Sequence, residues 1–483
     1  MTTFRRPLAV VMVLATMVAA CGGDDDDSAD TPTPTEPATA PAATDAPDGT
    51  DAPAPTEAPD APGTTAGDAG PGTTAAAPDN GGEPAALPEE LDADACASTQ
   101  GVTDDTITVG VLTDLSGPVS AGGGIDIGES FKAHFAAVNA AGGIGGYQIE
   151  VLIEDMKYDP VATAQAYETV REDVAMMPII LSSSGIEAVS QDMADDCLLT
   201  LEGGPNGQLS QKHVTVFTPT TSVGHDVINA ISWALEENPD ATFALALQAD
   251  ATGRQTQTAA DFAAAEAGAN FVGKVEFSPA DADLTAQIQS LISMDPTYVI
   301  FGGGVPNQLA ALASGLDSAG AAAEFLVPTS GWSPNVLSTP AAPAIEKKVI
   351  VFSSYGPWNG DEPGLVQMRE ELEAYPDRDF APGAPPLLGY ETSLVAEEVL
   401  RIFIENGDMT LGGMYRAAQQ VENFDPQGVA PVLTYGREGE PRIPSTSSRA
   451  YRTDADTPGG LVPLSDGYLD AELNQQYVEP ASN

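Results

Sequence analysis

Thr106-Ile-Thr-Val-Gly-Val-Leu-Thr-Asp-Leu-Ser-Gly-Pro118 reads as a β-strand over 106–113 running into a polar turn. From Thr106 onward, β-like runs alternate with helical stretches in a regular order. That alternation predicts parallel sheets covered by helices, an α/β class. Further strands are expected at 148–155, 177–182, 197–201, 214–219, 242–248, 271–277, 297–302, 324–328 and 347–353. The helix expected over 125–140 sets Ile127, Phe131, Phe135 and Val138 on one face, and Gly142 and Gly143 end it. A second has Asp159 as N-cap and Pro160 in its first turn, where the missing N–H costs nothing. Others are expected at 226–237, 284–293, 306–318, 363–374 and 391–405. A pattern of ~380 residues exceeds one hydrophobic core, so two similar lobes are expected.

Upstream, Arg5 and Arg6 precede a run from Leu8 to Ala20 that is apolar but for Thr16. The run is too short for a bilayer-spanning helix, which needs about 20 residues. It has the layout of an export signal, expected over 1–20. Val18-Ala19-Ala20-Cys21 resembles the bacterial lipoprotein signal, which implies lipidation of Cys21 and a membrane anchor there. Residues 21–95 are nearly all Asp, Thr, Pro, Ala, Gly and Glu, with few large apolar side chains to offset ordering entropy. They are expected to form a disordered acidic stalk spanning on the order of 50 Å or more.

Formal net charge is −53. Setting aside the 18 acids of residues 22–95 and the charges of Arg5 and Arg6 leaves −37 on residues 96–483. A field of that sign repels phosphate backbones, so nucleic acid is excluded as a partner. Beyond Cys21 only Cys96 and Cys197 remain. In an exported chain the pair predicts one disulfide, with two separate thiols as the alternative. His134, His213 and His225 are isolated and no cysteine spacing suits zinc, so no metal or other cofactor is expected.

Ile107 to Pro118 resembles the opening strand and loop of the branched-chain amino acid binding family of ABC transporter substrate-binding proteins. Asn139-Ala-Ala-Gly-Gly-Ile-Gly-Gly146 resembles that family's helix end and turn, and Ile149-Glu-Val-Leu-Ile-Glu-Asp155 its acidic-ended second strand. The segment from Gly412-Gly-Met-Tyr to Asp425-Pro426 resembles a C-terminal stretch of related lipoproteins. The resemblance implies a type I periplasmic binding protein fold, two doubly wound parallel-sheet lobes around a ligand cleft. Lobe one would take 104–221 and 353–420, and lobe two 222–352 and 421–483. It further implies capture of an amino acid, amide, urea or related organic acid, delivery to an ABC permease, and a monomer outside the cytoplasm. A tethered sensor that signals to a receptor needs the same cleft and is the alternative.

Open parallel sheets bind ligands beyond the carboxyl ends of their strands. In the family a serine loop after the third strand holds the ligand's carboxylate, which carries over to Ser183 and Ser184. Ser184 also suits the N-cap of the helix that follows. Ser116 lies in the first loop. Other positions depart from the amino-acid pattern. Glu202 and Gly204 stand where a small-x-Thr clamp is expected, and Thr252, Gly304 and Gly122 where larger side chains are frequent. Thr329 and Ser330 stand where an acid usually meets the ligand ammonium. Trp332, Tyr355 and Trp358 are placed to cover an apolar ligand body. These departures predict a ligand bulkier than leucine or valine and independent of an α-ammonium group, with Glu202 as the one substitute acid.

No enzyme motif is present. There is no G-x-S-x-G or H-E-x-x-H, and Gly122-Gly123-Gly124-Ile-Asp-Ile-Gly128 misses the dinucleotide spacing. Gly268 to Lys274 leads to Val275 where a phosphate loop needs a hydroxyl.

Overall fold

Alternating Ile107, Val109 and Val111 are fully buried on β1 (Thr106–Thr113), as befits a strand covered on both faces. This strand anchors the fold in a computed structural model that describes residues 90–204, 206–278, 281–435 and 442–478. The export segment, Cys21 and the stalk up to residue 89 lie outside the described residues. The stalk's expected end at 95 is too late. Residues 90–95 are folded against the protein, because Leu91 joins its apolar core and Glu90 accepts hydrogen bonds from Tyr415 (2.9 Å) and Gln419 (3.0 Å).

After β1, α1 (Ile125–Ala140) buries Ile127, Phe131 and Phe135. Gly143, in the left-handed region at φ 77°, donates back to the Val138 carbonyl and closes the helix. Asn139 then exchanges two 2.8 Å bonds with the backbone of Ile149, fastening the helix end to β2 (Gln148–Asp155). Asp159 caps α2 (Pro160–Val170) by accepting from Val161 and Ala162. Next come β3 (Met176–Ile180), α3 (Ser183–Asp195) and α4 (Gly207–Lys212). The first sheet is wholly parallel, in the order β2-β1-β3.

The strands expected at 197–201 and 214–219 do not form. Their segments extend the sheet edge through a few bonds, such as Met177 N–H to the Leu199 carbonyl, and one bridge, Thr200 to Val216. Left-handed backbone at Cys197 and Glu202 brackets the first of them and leaves too short a run for a ladder.

The chain then crosses to a second sheet. It builds α5 (Val223–Glu237), β4 (Thr242–Gln248), α6 (Ala251–Ala267), β5 (Asn270–Phe277), α7 (Thr285–Met294), β6 (Tyr298–Gly302), α8 (Pro306–Ser318), β7 (Glu324–Pro328), α9 (Ala342–Lys348) and β8 (Val349–Ser353). It returns for α10 (Pro363–Ala374), α11 (Ala384–Asn406) and α12 (Leu411–Ala418). Finally β9 (Arg449–Thr453) and β10 (Leu461–Pro463) add an antiparallel edge, completing the order β10-β9-β8-β7-β6-β4-β5.

Two bodies result. The first contains β1–β3, α1–α4 and α10–α12, and the second has apolar clusters on both faces of the larger sheet. The boundary expected at 421 falls later in the chain. Val421, Leu433 and Tyr435 fill the first body's core beside Phe217 and α12, and only the segment from about 448 onward joins the second. Cys96 and Cys197 are joined in a disulfide, Cα to Cα 5.8 Å, which ties the start of the described chain to the end of α3.

Candidate ligand-binding cleft

The carboxyl ends of β1, β3, β4, β6, β7 and β8 carry the loops in which site residues were expected. Near β1, Ser116 is exposed and donates to Asp155 Oδ2 at 2.5 Å, while Leu115 N–H reaches Oδ1 at 3.0 Å. Burial pushes the Asp155 carboxyl up, but these bonds prevail and hold it below its ordinary range. Ser116 is thereby committed to the end of β2.

At the start of α3, Ser182, not Ser184, supplies the cap, with its Oγ accepting from Gly185 N–H at 2.8 Å. The extended backbone at Ser182 places the cap two residues earlier than expected, leaving Ser184 exposed. Ser183 is half-buried and accepts from Asn206 Nδ2 at 3.2 Å. Glu202 is fully buried and turned into its own body, accepting from Asn206 N–H (3.0 Å) and the Thr218 hydroxyl (3.3 Å). It is therefore not the acid offered across the cleft. A side chain added at Gly204 would meet open space.

On the second body, Thr252 sits half-buried in the first turn of α6, which Asp250 caps. Gly304 donates its N–H to Gln248 Oε1 at 3.2 Å, and the atom nearest to an added Cβ is the Ser330 carbonyl oxygen, 4.0 Å away. Thr329 is buried and central. Its N–H donates to Asp226 Oδ2 at 3.1 Å, and its hydroxyl stands 3.4 Å from both the Phe352 carbonyl and the Ser354 N–H. The loop at Thr329 therefore does not lack an acid, because Asp226 in the first turn of α5 supplies one. Independence from a ligand ammonium, inferred from the threonine, loses its ground.

Trp332, Tyr355 and Trp358 come together, with Thr329, around a cavity of about 10 Å³, room for roughly one water. Gly383, Ala384 and Leu387 of the first body line it together with Gly459 and Leu461 of the second. Residues of both bodies therefore line the same small cavity.

The junction holds several buried polar atoms without a hydrogen-bond partner among the described residues. They are Thr220 Oγ1, Asp226 Oδ1, Ser330 Oγ, Trp332 Nε1, Ser354 Oγ, the Tyr355 hydroxyl and both carboxyl oxygens of Glu391. Buried polar groups are normally paired, so such a concentration calls for a cause. Burial pushes the Asp226 carboxyl up to about 8, against the opposing bonds from Thr329 and Ser448. Burial also pushes Glu391 well above its ordinary range. The Tyr355 phenol is raised first by burial, then by the nearby Glu391 and Asp226 carboxyls. Glu391 also influences Tyr435, whose hydroxyl donates to the Thr218 carbonyl at 2.9 Å. A polar seam thus runs from Glu202 through Thr218, Tyr435, Glu391 and Tyr355 to Thr329 and Asp226. Its two buried acids, Asp226 and Glu391, were not expected from the sequence. Glu391 did leave a signal, since it interrupts the buried i, i+4 stripe Leu387, Glu391, Val395.

Comparison with known proteins agrees with this architecture. A family model described as periplasmic binding protein matches residues 106–455, and the chain belongs to that family. The solved structure of a fatty acid ABC transporter substrate-binding protein from Thermomonospora curvata is similar at TM-score 0.72 and 24% identity, over 80% of this chain and 98% of that one. A branched-chain amino acid ABC transporter protein from Thermus thermophilus, with bound valine, is similar at TM-score 0.67 and 18% identity, over 78% and 99%. A solute-binding protein from R. palustris in complex with 4-hydroxybenzoate gives TM-score 0.63 and 14% identity, over 78% and 98%. A comparison with curated protein sequences gives no match. Family members are substrate-binding proteins, not enzymes, and the family implies an extracytoplasmic location. Among the described residues no helix is long and apolar enough to cross a membrane.

Proposed function

We propose that this chain captures a small polar or amino-acid-like molecule between its two bodies and presents it to an ABC permease, held at the membrane by a lipid on Cys21. The observation that carries this reading is the set of unpaired polar atoms buried where the bodies meet, contributed by both of them. A buried polar group left without a hydrogen-bond partner costs about 1–3 kcal/mol. A ligand that pairs with them favours closure, and closure is what a docking partner can read. Trp332, Tyr355 and Trp358 supply the apolar wall, while Thr252, Gly204 and Gly304 leave space on the two rims. Ser183, Ser184 and Ser330 are the hydroxyls offered to polar ends of the ligand.

A thermal-shift screen against amino acids, amides, ureas and aromatic acids tests the reading. A ligand that binds only the folded state at a hundred times its Kd stabilises it by about 2.7 kcal/mol. A rise in unfolding temperature with at least one class is expected. No rise across the whole screen contradicts binding in the cleft.

A further inference from the structure

His134 is buried in the first body, where α1 meets α10 and α11. Its Nδ1 lies 2.9 Å from Glu371 Oε2 and its Nε2 lies 2.9 Å from Glu397 Oε2. A neutral imidazole has one N–H and can donate to only one of these carboxylates, whereas the imidazolium donates to both. The Tyr390 hydroxyl donates to the same Glu371 oxygen at 2.8 Å, and its ring stands edge-on to the imidazole with centroids 5.0 Å apart. One helical turn before Tyr390 lies the cavity shared by the two bodies, lined by Leu387 and Ala384 of α11. Tyr390, Leu387 and Tyr355 belong to one apolar cluster with Leu365 and Met368 of α10, and Trp358 and Ala384 pack against it.

Among the described residues, no other charged side chain bonds the ring. On α1 itself, Glu129 is taken by the Tyr375 hydroxyl (3.0 Å), Asp126 by Arg378, and Lys132 is exposed. On α10, Arg369 is engaged by the Trp358 and Gly360 carbonyls, and Glu370 and Glu373 are exposed. On α11, Arg401 is held by Glu398 (2.6 Å) and Glu405 (2.7 Å). β1 carries no charged residue, and on β2 Ile153 faces α1 at Gly128, so strand alternation turns Glu150 and Glu154 away.

We infer that His134 is a positioning residue for the cavity: its doubly bonded imidazolium holds Tyr390 and the first turns of α11 where Leu387 and Ala384 form the cavity wall, and the wall loosens once the ring is neutral. This deepens the proposed function, on which the use of the cavity rests. Burial pushes the ring down, but the two carboxylates prevail and raise it above its ordinary 6.5. The double bond is therefore complete below the raised value and lost as pH rises through it. Losing the proton leaves one carboxylate without its donor, and the helix that carries it loses that tie to α1. Close packing within the apolar cluster passes the change on to the cavity.

Trp332 and Trp358 line the cavity, while Trp233 packs on Tyr298 and Phe352 in the second body. Tryptophan fluorescence of the full chain, followed from mildly acid to alkaline buffer, thus reads the wall without any ligand. Burial pushes His225 down to about 4 and His213 below its ordinary range, so neither interferes. Asp226, which titrates at about 8, is removed by working in an Asp226→Asn chain. One transition is expected, with its midpoint above 6.5. Glu397→Gln, which leaves the ring one carboxylate, should move that midpoint towards acid by about one pH unit or more, and His134→Gln should remove the transition. Thermal unfolding confirms that each variant is folded, and the Glu397→Gln shift carries the test if His134→Gln does not fold. A merely structural histidine would lower stability in His134→Gln without giving a midpoint that Glu397 moves. No transition, a transition that survives His134→Gln, or a midpoint unmoved by Glu397→Gln overturns the inference. If the thermal screen finds a ligand and the transition is absent, the cleft reading stands and this one falls. If the transition and its shift appear while the screen finds no ligand, the positioning of the wall stands and the cleft reading falls.

Discussion

A fully buried, unpaired carboxyl serves a fold poorly, so Glu391 should cost the ligand-free protein stability. Replacing it with methionine keeps the length of the side chain and removes the unsatisfied oxygens. Glu391→Met is expected to stabilise the ligand-free chain by about 1–3 kcal/mol while abolishing ligand binding, the trade-off expected at a functional site. Equal or lower stability in denaturant titration contradicts this. Asp226 makes a pH-dependent prediction. Its carboxyl has a pKa of about 8 in the folded protein against an ordinary 3.8, so between those values the folded state holds more protons than the unfolded state. Stability from this group is greatest below pH 3.8 and falls as pH rises towards 8, by at most about 1.4 kcal/mol per pH unit. Asp226→Asn removes that slope. Parallel pH profiles for the variant and the natural protein contradict the assignment.

Among the elements, α1, α10 and α11 are joined by one side chain. His134 on α1 is buried, with Nδ1 2.9 Å from Glu371 Oε2 on α10 and Nε2 2.9 Å from Glu397 Oε2 on α11. The Tyr390 hydroxyl adds a 2.8 Å bond to the same Glu371 oxygen, and Gly389 lets α11 lie directly on the Ile127 backbone of α1. Burial pushes the imidazole down, but the two carboxylates outweigh it and raise His134 above 6.5. Burial pushes Glu371 up, and the bonds from His134, Gln367 and Tyr390 bring it below 4.5. The clamp's contribution is lost above the raised histidine value and below the lowered glutamate value. His134→Gln should therefore cost about 3–5 kcal/mol near pH 6, and the deficit should shrink in alkaline buffer. A deficit independent of pH contradicts the ionic account.

At this scale the sequence was most legible where signals are local. The bounds of β1, α1 and α8 follow from side-chain period, glycines and an initial proline. The failed strands at 197–201 and 214–219 depended on pairing with distant backbone, which no local pattern encodes. α11 begins at Ala384, earlier than expected, because Pro385 and Pro386 occupy its first turn. Asp226 and Glu391 were missed for a related reason. An acid on a helix reads as solvent-facing until the opposite body is seen to cover it.

For the molecule as a whole, the disulfide and the anchor follow from one expectation, that the chain works outside the cytoplasm. The Cys96–Cys197 bond closes a loop of 101 residues, worth up to about 4.7 kcal/mol in the chain-entropy model. Reduction, or the Cys96→Ala and Cys197→Ala pair, should lower the unfolding temperature. Thiol counting on denatured, unreduced protein should find neither cysteine free, and two free thiols would contradict the bond. Intact-mass measurement of membrane-extracted protein should find a chain beginning at a lipid-modified Cys21, and an unmodified Cys21 would refute the anchor. The central claim is that the ligand is enclosed between the two bodies. Hydrogen–deuterium exchange with the best ligand from the thermal screen tests it most directly. The account predicts new protection on both sides of the junction at once, at 218–226, 329–332 and 353–356 and in the first turns of α11 up to Glu391. Protection confined to one body, or none in these segments, would contradict it.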